Sequence, residues 1–297
     1  MRSGKQRVLV EHFSLAGNCH YRSVTHDQSL SLTSINMLSP VLLMVALLTV
    51  LTVTMESDHW TADRQEKFCT WQCLKFTLQW PGSFCLGLKN SSQCRIPPNI
   101  QTWTIHGLWP SKAHTCCSCW PIFHSDLKEL DPELSQLWPS LLKTQSSFLF
   151  WKDEWIKHGS CAACVEGMNS PLRYFQICLK LRGRFDIDRA LEDAGIKPSC
   201  NQSYPYDKVN HALAPVIGDD PDVLIQCIND EKGREVLVQV KIPLSQNLTL
   251  GCHHKEDQGA EPVPPQLWHT FPGHPCPQDS PVFYFPINHD HPHQPCD

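Results

Sequence analysis

The chain contains short segments rich in β-branched and aromatic residues, each bounded by Pro, Gly or Asn. This pattern is typical of β-strands. We predict strands at Phe76–Trp80, Thr102–Leu108, Asp222–Ile228, Val236–Leu244 and Val282–Phe285. In four other segments apolar residues recur every three to four positions, which predicts helices. These segments are 125–143, 148–163, 170–182 and 187–194.

The predicted strands and helices do not alternate strictly, which favours an α+β fold over a doubly wound sheet. We predict a central, mostly antiparallel sheet packed with several helices and stabilised by disulfides. Residues 69–297 contain no repeat and no long linker, so we interpret them as one domain. The Pro-rich stretch 253–277 is predicted to be a long loop.

An uncharged, apolar segment precedes this domain at residues 37–55. Its most apolar part, 40–53, has the length of a signal-peptide core, so we expect a cleaved signal peptide. A signal anchor that holds the protein in a membrane is the alternative. Residues 1–36 are interpreted as an upstream extension ahead of Met37, and residues 56–68 as a charged spacer.

Composition narrows the class of protein. The 297 residues include 25 Lys+Arg and 30 Asp+Glu, a net charge of −5, which disfavours a strongly cationic nucleic-acid binder. The 16 His would add positive charge in an acidic compartment and favour a polyanionic partner there. The 16 Cys, with sequons at Asn90, Asn201 and Asn247, indicate a disulfide-bonded glycoprotein of the secretory route.

Two segments carry residues suited to acid–base chemistry. In the first, WTIHGLWP, His106 lies within a predicted strand; in the second, FWKDEWIKHGSC, helical spacing places Glu154, Lys157 and His158 on adjoining positions. Taken singly, a histidine in a strand is more often structural and a charged helix face is more often solvated. Together they supply an acid, a base and charge stabilisers for phosphoryl transfer without a metal.

A zinc peptidase motif does not fit the second segment. The motif needs His four residues apart around the Glu, but Asp153 and Lys157 occupy those positions. The His-containing tail at His289, His291 and His293 is interpreted as a flexible end. We therefore expect neither a metal site nor a cofactor.

The two segments resemble the paired signatures of the ribonuclease T2 family of acid endoribonucleases. The resemblance extends in order through FTLQWPGSFC, AGIKP, LIQC and PVFY, over about residues 69–286, and looks nearest to vertebrate members. It implies metal-independent cleavage of single-stranded RNA, but not DNA, in which the 2′-OH attacks the phosphorus to give a 2′,3′-cyclic phosphate. We also expect a monomer that is secreted or lysosomal.

The resemblance assigns roles to individual residues. His158 would be the general base, His106 the general acid, and Glu154 and Lys157 the stabilisers of transition-state charge. Trp109 and Phe150 match aromatic residues that bind a base, although packing in the core explains each equally well. The family pattern further implies disulfides between Cys85 and Cys94, Cys116 and Cys161, and Cys227 and Cys276. Cys252 resembles half of a fourth bridge whose usual partner position is not Cys here.

Two positions depart from the family pattern. Asp153 stands where a phosphate-contacting His usually precedes the helix Glu, and Ser111 replaces an acidic residue that contacts the base. A carboxylate near the phosphate would repel it, unless Asp153 pairs with Lys157 four residues later. We therefore predict reduced activity. The alternative is a secreted T2-like protein that binds RNA or a protein partner with little or no catalysis.

Overall fold

The computed structural model describes residues 69–88, 93–113, 116–218, 224–252 and 273–296. The upstream extension, the leader and the spacer lie outside these residues, as do Asn90 and most of the predicted loop 253–277. No helix among the described residues is long and apolar enough to cross a bilayer.

A mixed sheet forms the centre of the described part of the chain. Its strands are β1 (Cys73–Gln79), β2 (Thr104–Pro110), β3 (Ser203–Tyr204), β4 (Leu224–Asn229), β5 (Glu235–Ser245), β6 (His274–Pro275) and β7 (Val282–Phe283). The main order is β2-β1-β5-β4-β6, all antiparallel, and β7 joins β5 in parallel and β3 in antiparallel orientation.

Helices occupy the connections between strands. They are α1 (Pro81–Phe84), α2 (His124–Leu127), α3 (Asp131–Leu137), α4 (Ser147–Glu154), α5 (Ser160–Ala162), α6 (Pro171–Arg184), α7 (Ile187–Asp193) and α8 (Tyr206–Ile217). A π-helical segment, Trp155–Gly159, joins α4 to α5, and 3₁₀ turns lie at Cys85–Gly87 and Glu166–Met168. The α+β prediction is confirmed.

The elements differ from the predicted ones where proline or a local turn intervenes. The predicted helix over 125–143 is two short helices, and Pro132 lies in the first turn of the second, where its missing N–H costs nothing. Helix α8 was not predicted, because Pro205 precedes it and Pro215 lies inside its last turn. Within the predicted loop 253–277, His274–Pro275 forms the short strand β6.

One face of the sheet packs against the helices. Leu74, Phe76 and Leu78 alternate along β1 on this face and are fully buried with Ile105 and Leu108 of β2. Helix α6 covers them with its own buried stripe, which includes Tyr174, Phe175 and Cys178. Alternating residues of the same strands therefore face the other side of the sheet, where polar groups collect.

Disulfides connect distant parts of the described chain. The bonds Cys85–Cys94, Cys116–Cys161 and Cys227–Cys276 are formed in the structure. Cys252 pairs with Cys73, so its partner lies at the start of β1. Two further bonds, Cys69–Cys164 and Cys200–Cys296, join cysteines whose pairing the sequence left open.

Candidate active site

His106 lies in β2 at a break in strand register. Ile105 pairs with Leu78 and Gly107 with Thr77, so the ladder has one extra residue at His106. Such a bulge re-aims a side chain. The His106 ring is 7% exposed, and its Nδ1 lies 2.8 Å from Nε2 of Gln239 in β5. The backbone carbonyl of His106 accepts a hydrogen bond from Trp138 Nε1 at 3.0 Å.

The contact with Gln239 links the protonation of His106 to the orientation of the Gln239 amide. When the amide group donates to Nδ1, the neutral ring holds its proton on Nε2. Rotation of the amide by half a turn would present its oxygen to Nδ1–H and support the imidazolium form. Gln239 can therefore support either protonation state of His106.

The second set of site residues lies where helix α4 passes into the π segment. Ser146 caps α4, because its hydroxyl accepts a hydrogen bond from Leu149 N. Glu154 is the last residue of α4 and is 6% exposed, whereas Lys157 and His158 lie in the π segment. The structure therefore differs from the regular helix predicted over 148–163. Lys157 projects into solvent with 58% of its side chain exposed, away from the buried side that holds Glu154.

A hydrogen bond joins the two segments of the site directly. Trp109 Nε1 in β2 donates to Glu154 Oε2 at 2.9 Å. This bond passes immediately over Gly107, where a Cβ would overlap both atoms. The Gly after His106 is therefore required by the close approach of β2 to α4.

The Trp109 ring lies close to both histidines. Its ring centroid is 5.0 Å from that of His106, edge to face, and 5.5 Å from that of His158. The Phe150 ring is also close to His106, with centroids 6.1 Å apart. The structure thus brings together His106, Trp109, Phe150, Glu154 and His158, five of the six residues singled out in the two segments.

Burial shifts the pKa values of the three titratable groups at this site. Burial lowers the pKa of His106 to about 3, assisted by the nearby charges of Lys241 and His158. Burial and Lys157 lower the pKa of His158 to about 4. Burial raises the pKa of Glu154 to about 8, against the opposing effect of the Trp109 hydrogen bond. Without substrate, all three groups are therefore neutral near pH 5.

Asp153 and Lys157 form the pair that their spacing predicts. Lys157 Nζ lies 3.8 Å from Asp153 Oδ2, which also accepts a hydrogen bond from Gln145 Nε2 at 3.0 Å. Both charged side chains are about half exposed, so the pair is weak. It nevertheless holds the Lys157 ammonium beside a carboxylate.

Three polar residues at the site were not identified from the sequence. Gln239 contacts His106, and Lys241, two residues later in β5, donates to Gln226 Oε1 at 3.1 Å. The available signal was the pair of polar residues two positions apart, Gln239 and Lys241, in the otherwise apolar strand VLVQVKIPL. The sequence does not specify that β5 pairs with β1, which is what places Gln239 within reach of β2.

Two bonds from distant residues fix the position of the signature segments. Tyr174 Oη in α6 donates to the backbone carbonyl of Leu108 at 2.8 Å. The disulfide Cys116–Cys161 connects the loop after β2 to the helix that follows the π segment. These contacts limit the freedom of both segments and help to hold the candidate catalytic groups in place.

The remaining predicted sites lie outside this cluster. Asn201 and Asn247 are exposed, as a glycosylated Asn must be. No group of three or more His, Cys, Asp or Glu in the described part of the chain is arranged to hold a metal ion. A cavity of about 450 Å³ lies at the β4–β5 turn, beside Arg234 and Phe285, and contains none of the predicted catalytic residues.

The chain is similar to known ribonucleases. Residues 71–260 match the sequence model of the Ribonuclease T2 family. Ribonuclease T2 of Homo sapiens is 36% identical over 231 residues, which cover 73% of this chain and 85% of the human protein. Ribonuclease Oy of Magallana gigas is 31% identical over 227 residues, which cover 73% of this chain and 98% of that protein.

Solved structures agree with the sequence comparisons. The crystal structure of human RNase T2 superposes with a TM-score of 0.57 at 33% identity and covers 73% of this chain and 99% of the human one. The structure of RNase NT in complex with 5′-AMP gives a TM-score of 0.58 at 24% identity, covering 73% of this chain and 98% of that one. The second likeness bears on the fold alone.

Proposed function

Since this chain belongs to the ribonuclease T2 family, we propose that it is a metal-independent endoribonuclease that cleaves single-stranded RNA through the 2′-OH. The observation that carries this proposal is the position of the two histidines, which come from different elements and both lie beside the Trp109 ring. Two imidazoles near one phosphodiester can take a proton from the 2′-OH and give a proton to the departing 5′-oxygen, which is what this reaction needs.

His158 is the general base of the proposed reaction. Its lowered pKa, about 4, keeps the ring neutral in weak acid, where it can accept the proton of the 2′-OH. The 2′-oxygen then forms a bond to phosphorus, and the bond from phosphorus to the 5′-oxygen of the next nucleotide breaks. The products carry a 2′,3′-cyclic phosphate and a 5′-OH.

His106 is the general acid that gives a proton to the departing 5′-oxygen. The pKa of about 3 in the unliganded site opposes this role, because the ring must first be protonated. The negative charge of a bound phosphodiester favours the imidazolium and raises that pKa. Catalysis is therefore expected to be favoured by acid and to depend on the charge of the substrate itself.

Glu154 and Lys157 stabilise charge on the phosphoryl oxygens in this proposal. The raised pKa of Glu154, about 8, keeps its carboxyl protonated in acid, so it can donate a hydrogen bond to a phosphoryl oxygen. Lys157 must leave Asp153 to reach the substrate, which supports an enzyme of reduced activity. Trp109 and Phe150 border the proposed base site, with Trp109 fixed by its bond to Glu154.

We assign the protein to the secretory route, in the extracellular space or the lysosome. The disulfides of the described residues support this compartment, because such bonds persist where the environment is oxidising. We further propose that the protein acts on RNA as a monomer and without a cofactor.

The proposal is tested by RNA cleavage at about pH 5 in excess EDTA, using glycosylated protein from eukaryotic cells. We expect cleavage of single-stranded RNA, no cleavage of DNA of the same sequence, and loss of activity in His158→Ala. Folded protein that binds RNA but leaves it intact would instead support the second candidate, a T2-like binding protein, for which Asp153 is the motivating observation. Cleavage that EDTA abolishes would overturn the proposed mechanism.

A further inference from the structure

Two lysines lie on the same face of the sheet as the catalytic histidine of β2. The His106 ring reaches across β1 to Gln239 in β5, which pairs with Gln79. Residues two positions apart in a strand share a face, so Lys241 lies on the face of Gln239. By the same alternation Thr77 and Lys75 lie on the face of Gln79.

The register brings these lysines close together. Thr77 pairs with Lys241 and Lys75 with Pro243, so the two lysines are diagonal neighbours on adjacent strands. Long side chains at such positions come within reach of each other. Lys75 also pairs with Trp109 across β2, which extends the cluster to the edge of the proposed base site.

No carboxylate among the described residues pairs with Lys75 or Lys241. Lys241 donates to the neutral amide oxygen of Gln226 at 3.1 Å, and neither lysine forms an ion pair within the described ranges. Burial and the like charge of Lys75 lower the pKa of Lys241 to about 8, so it remains charged in acid. Two cations held side by side in this way attract an anion.

Two polar atoms on the same face of the sheet also lack hydrogen-bond partners within the residues that the structure describes. The hydroxyl of Thr77, directly opposite Lys241, and Oε1 of Gln79 are buried and form no hydrogen bond with the part of the chain that is described. Buried polar atoms usually have partners, so two unsatisfied ones on the face of the lysines leave hydrogen-bonding capacity that a bound ligand or water can use.

The position of the cluster indicates which part of an RNA strand it would meet. In the proposed reaction His106 protonates the 5′-oxygen of the leaving nucleotide. Strands β1 and β5 follow the His106 strand β2 in the sheet, so we expect their side chains to face the leaving nucleotide rather than the one that supplies the 2′-OH. We propose that Lys75 and Lys241 form a second phosphate subsite, which binds the phosphate on the 3′ side of the leaving nucleotide. This inference rests on the proposed function, because that function sets the direction of the strand.

The subsite is tested with 2′-deoxy dinucleotides, which bind but lack the attacking hydroxyl. Titration calorimetry at about pH 5 would compare an adenine dinucleotide with no terminal phosphate, with a 3′-phosphate and with a 5′-phosphate. We expect the 3′-phosphate to tighten binding about tenfold and the 5′-phosphate to change it by less than about twofold. The double variant Lys75→Gln/Lys241→Gln should bind all three equally.

Matched variants keep the test specific. Lys180→Gln removes an exposed lysine of α6 and should retain the preference for the 3′-phosphate. Each single lysine variant should lose part of that preference, and thermal unfolding verifies that all variants are folded. Equal binding of the three ligands by the unmodified protein, or a 3′-preference that survives the double variant, would overturn the subsite. A failure of the proposed function would appear separately, as RNA that stays intact whatever the pattern of dinucleotide binding.

Discussion

Asp153 places a half-exposed carboxylate immediately before the buried Glu154. Its partners are Lys157 and Gln145, so it acts by withdrawing a cation as well as by adding negative charge. Both effects oppose the binding of a phosphodiester. Because Asp153 is half exposed, solvent screens its charge and limits the loss of phosphodiester binding.

Substitution of Asp153 measures how much its carboxylate slows the cleavage of RNA. We expect Asp153→His to raise kcat/KM for RNA at acid pH by about three- to tenfold, because it removes the repulsion and releases Lys157. Asp153→Asn, which removes the charge without adding a cation, should give part of the gain. Unchanged rates in both variants would show that Asp153 does not limit the reaction.

A second test concerns Gln239, whose contact with His106 affects the protonation of that ring. A carboxylate in place of the amide favours the imidazolium, so Gln239→Glu should raise the pKa of His106 by about one to three units. Because the general acid must be protonated, the falling limb of the kcat/KM profile should move to higher pH. Gln239→Leu should lower activity without that movement, and a limb that stays fixed in Gln239→Glu would refute the role of Gln239.

The sequence identifies single residues of this site only where a local motif carries them. His106, Glu154 and His158 were predicted because each lies in a short segment with a recognisable pattern. Gln239 and Lys241 were not, since their role depends on the pairing of β5 with β1. Gln239 is 133 positions from His106, and no local pattern encodes a contact over that separation.

At the scale of elements, the π segment Trp155–Gly159 is the feature that regular periodicity did not predict. Short π-helical turns often occur at functional sites, because they change the direction of side chains within a helix. Here Glu154 is buried while Lys157 points to solvent. The long apolar segments were predicted well, as for α6, whereas two-residue strands such as β3 carry too little pattern to be recognised.

Gly159 allows this segment to pack against the core. A Cβ there would overlap the Trp155 ring and lie tightly against Tyr174. We expect Gly159→Ala to destabilise the protein by about 1–3 kcal/mol, the usual cost of overpacking. The measurement is the free energy of unfolding in urea, together with the cleavage rate.

Gly183→Ala is the matched control for that substitution. Gly183 lies in α6, and nothing is within 4 Å of the Cβ it would gain. The variant should be more stable by about 0.5–1 kcal/mol, because Ala favours the helix. Equal effects of the two substitutions would contradict the packing assigned to the π segment.

The stability of the whole molecule should depend on pH because of three titratable groups at the candidate active site. His106 and His158 have native pKa values of about 3 and 4 against an ordinary 6.5, so the unfolded chain binds more protons at these two sites in acid. Glu154 has a native pKa of about 8 against 4.5, so there the native protein binds the extra proton. Stability rises with pH wherever the unfolded chain binds more protons in total.

The three groups together predict a maximum. Between pH 4.5 and 6.5 the two histidines outweigh the one carboxyl, so stability increases with pH. Above 6.5 the extra proton on native Glu154 dominates, so stability decreases. The decrease levels off toward pH 8, because Lys241, with a native pKa of about 8 against 10.5, then begins to lose its proton in the native protein. Urea unfolding across this range should therefore give a maximum near pH 6.5, with the decrease above it absent in Glu154→Gln. A decrease that persists in that variant would rule out Glu154 as its source.

One designed substrate tests whether this molecule cleaves RNA through the 2′-OH. That substrate is a DNA oligonucleotide with a single internal ribonucleotide, incubated with the protein in EDTA and analysed by mass spectrometry. We expect one cut, immediately 3′ of the ribonucleotide, which leaves a 2′,3′-cyclic phosphate on one product and a 5′-OH on the other. Cuts at deoxyribonucleotides, or products that carry a 5′-phosphate, would contradict it.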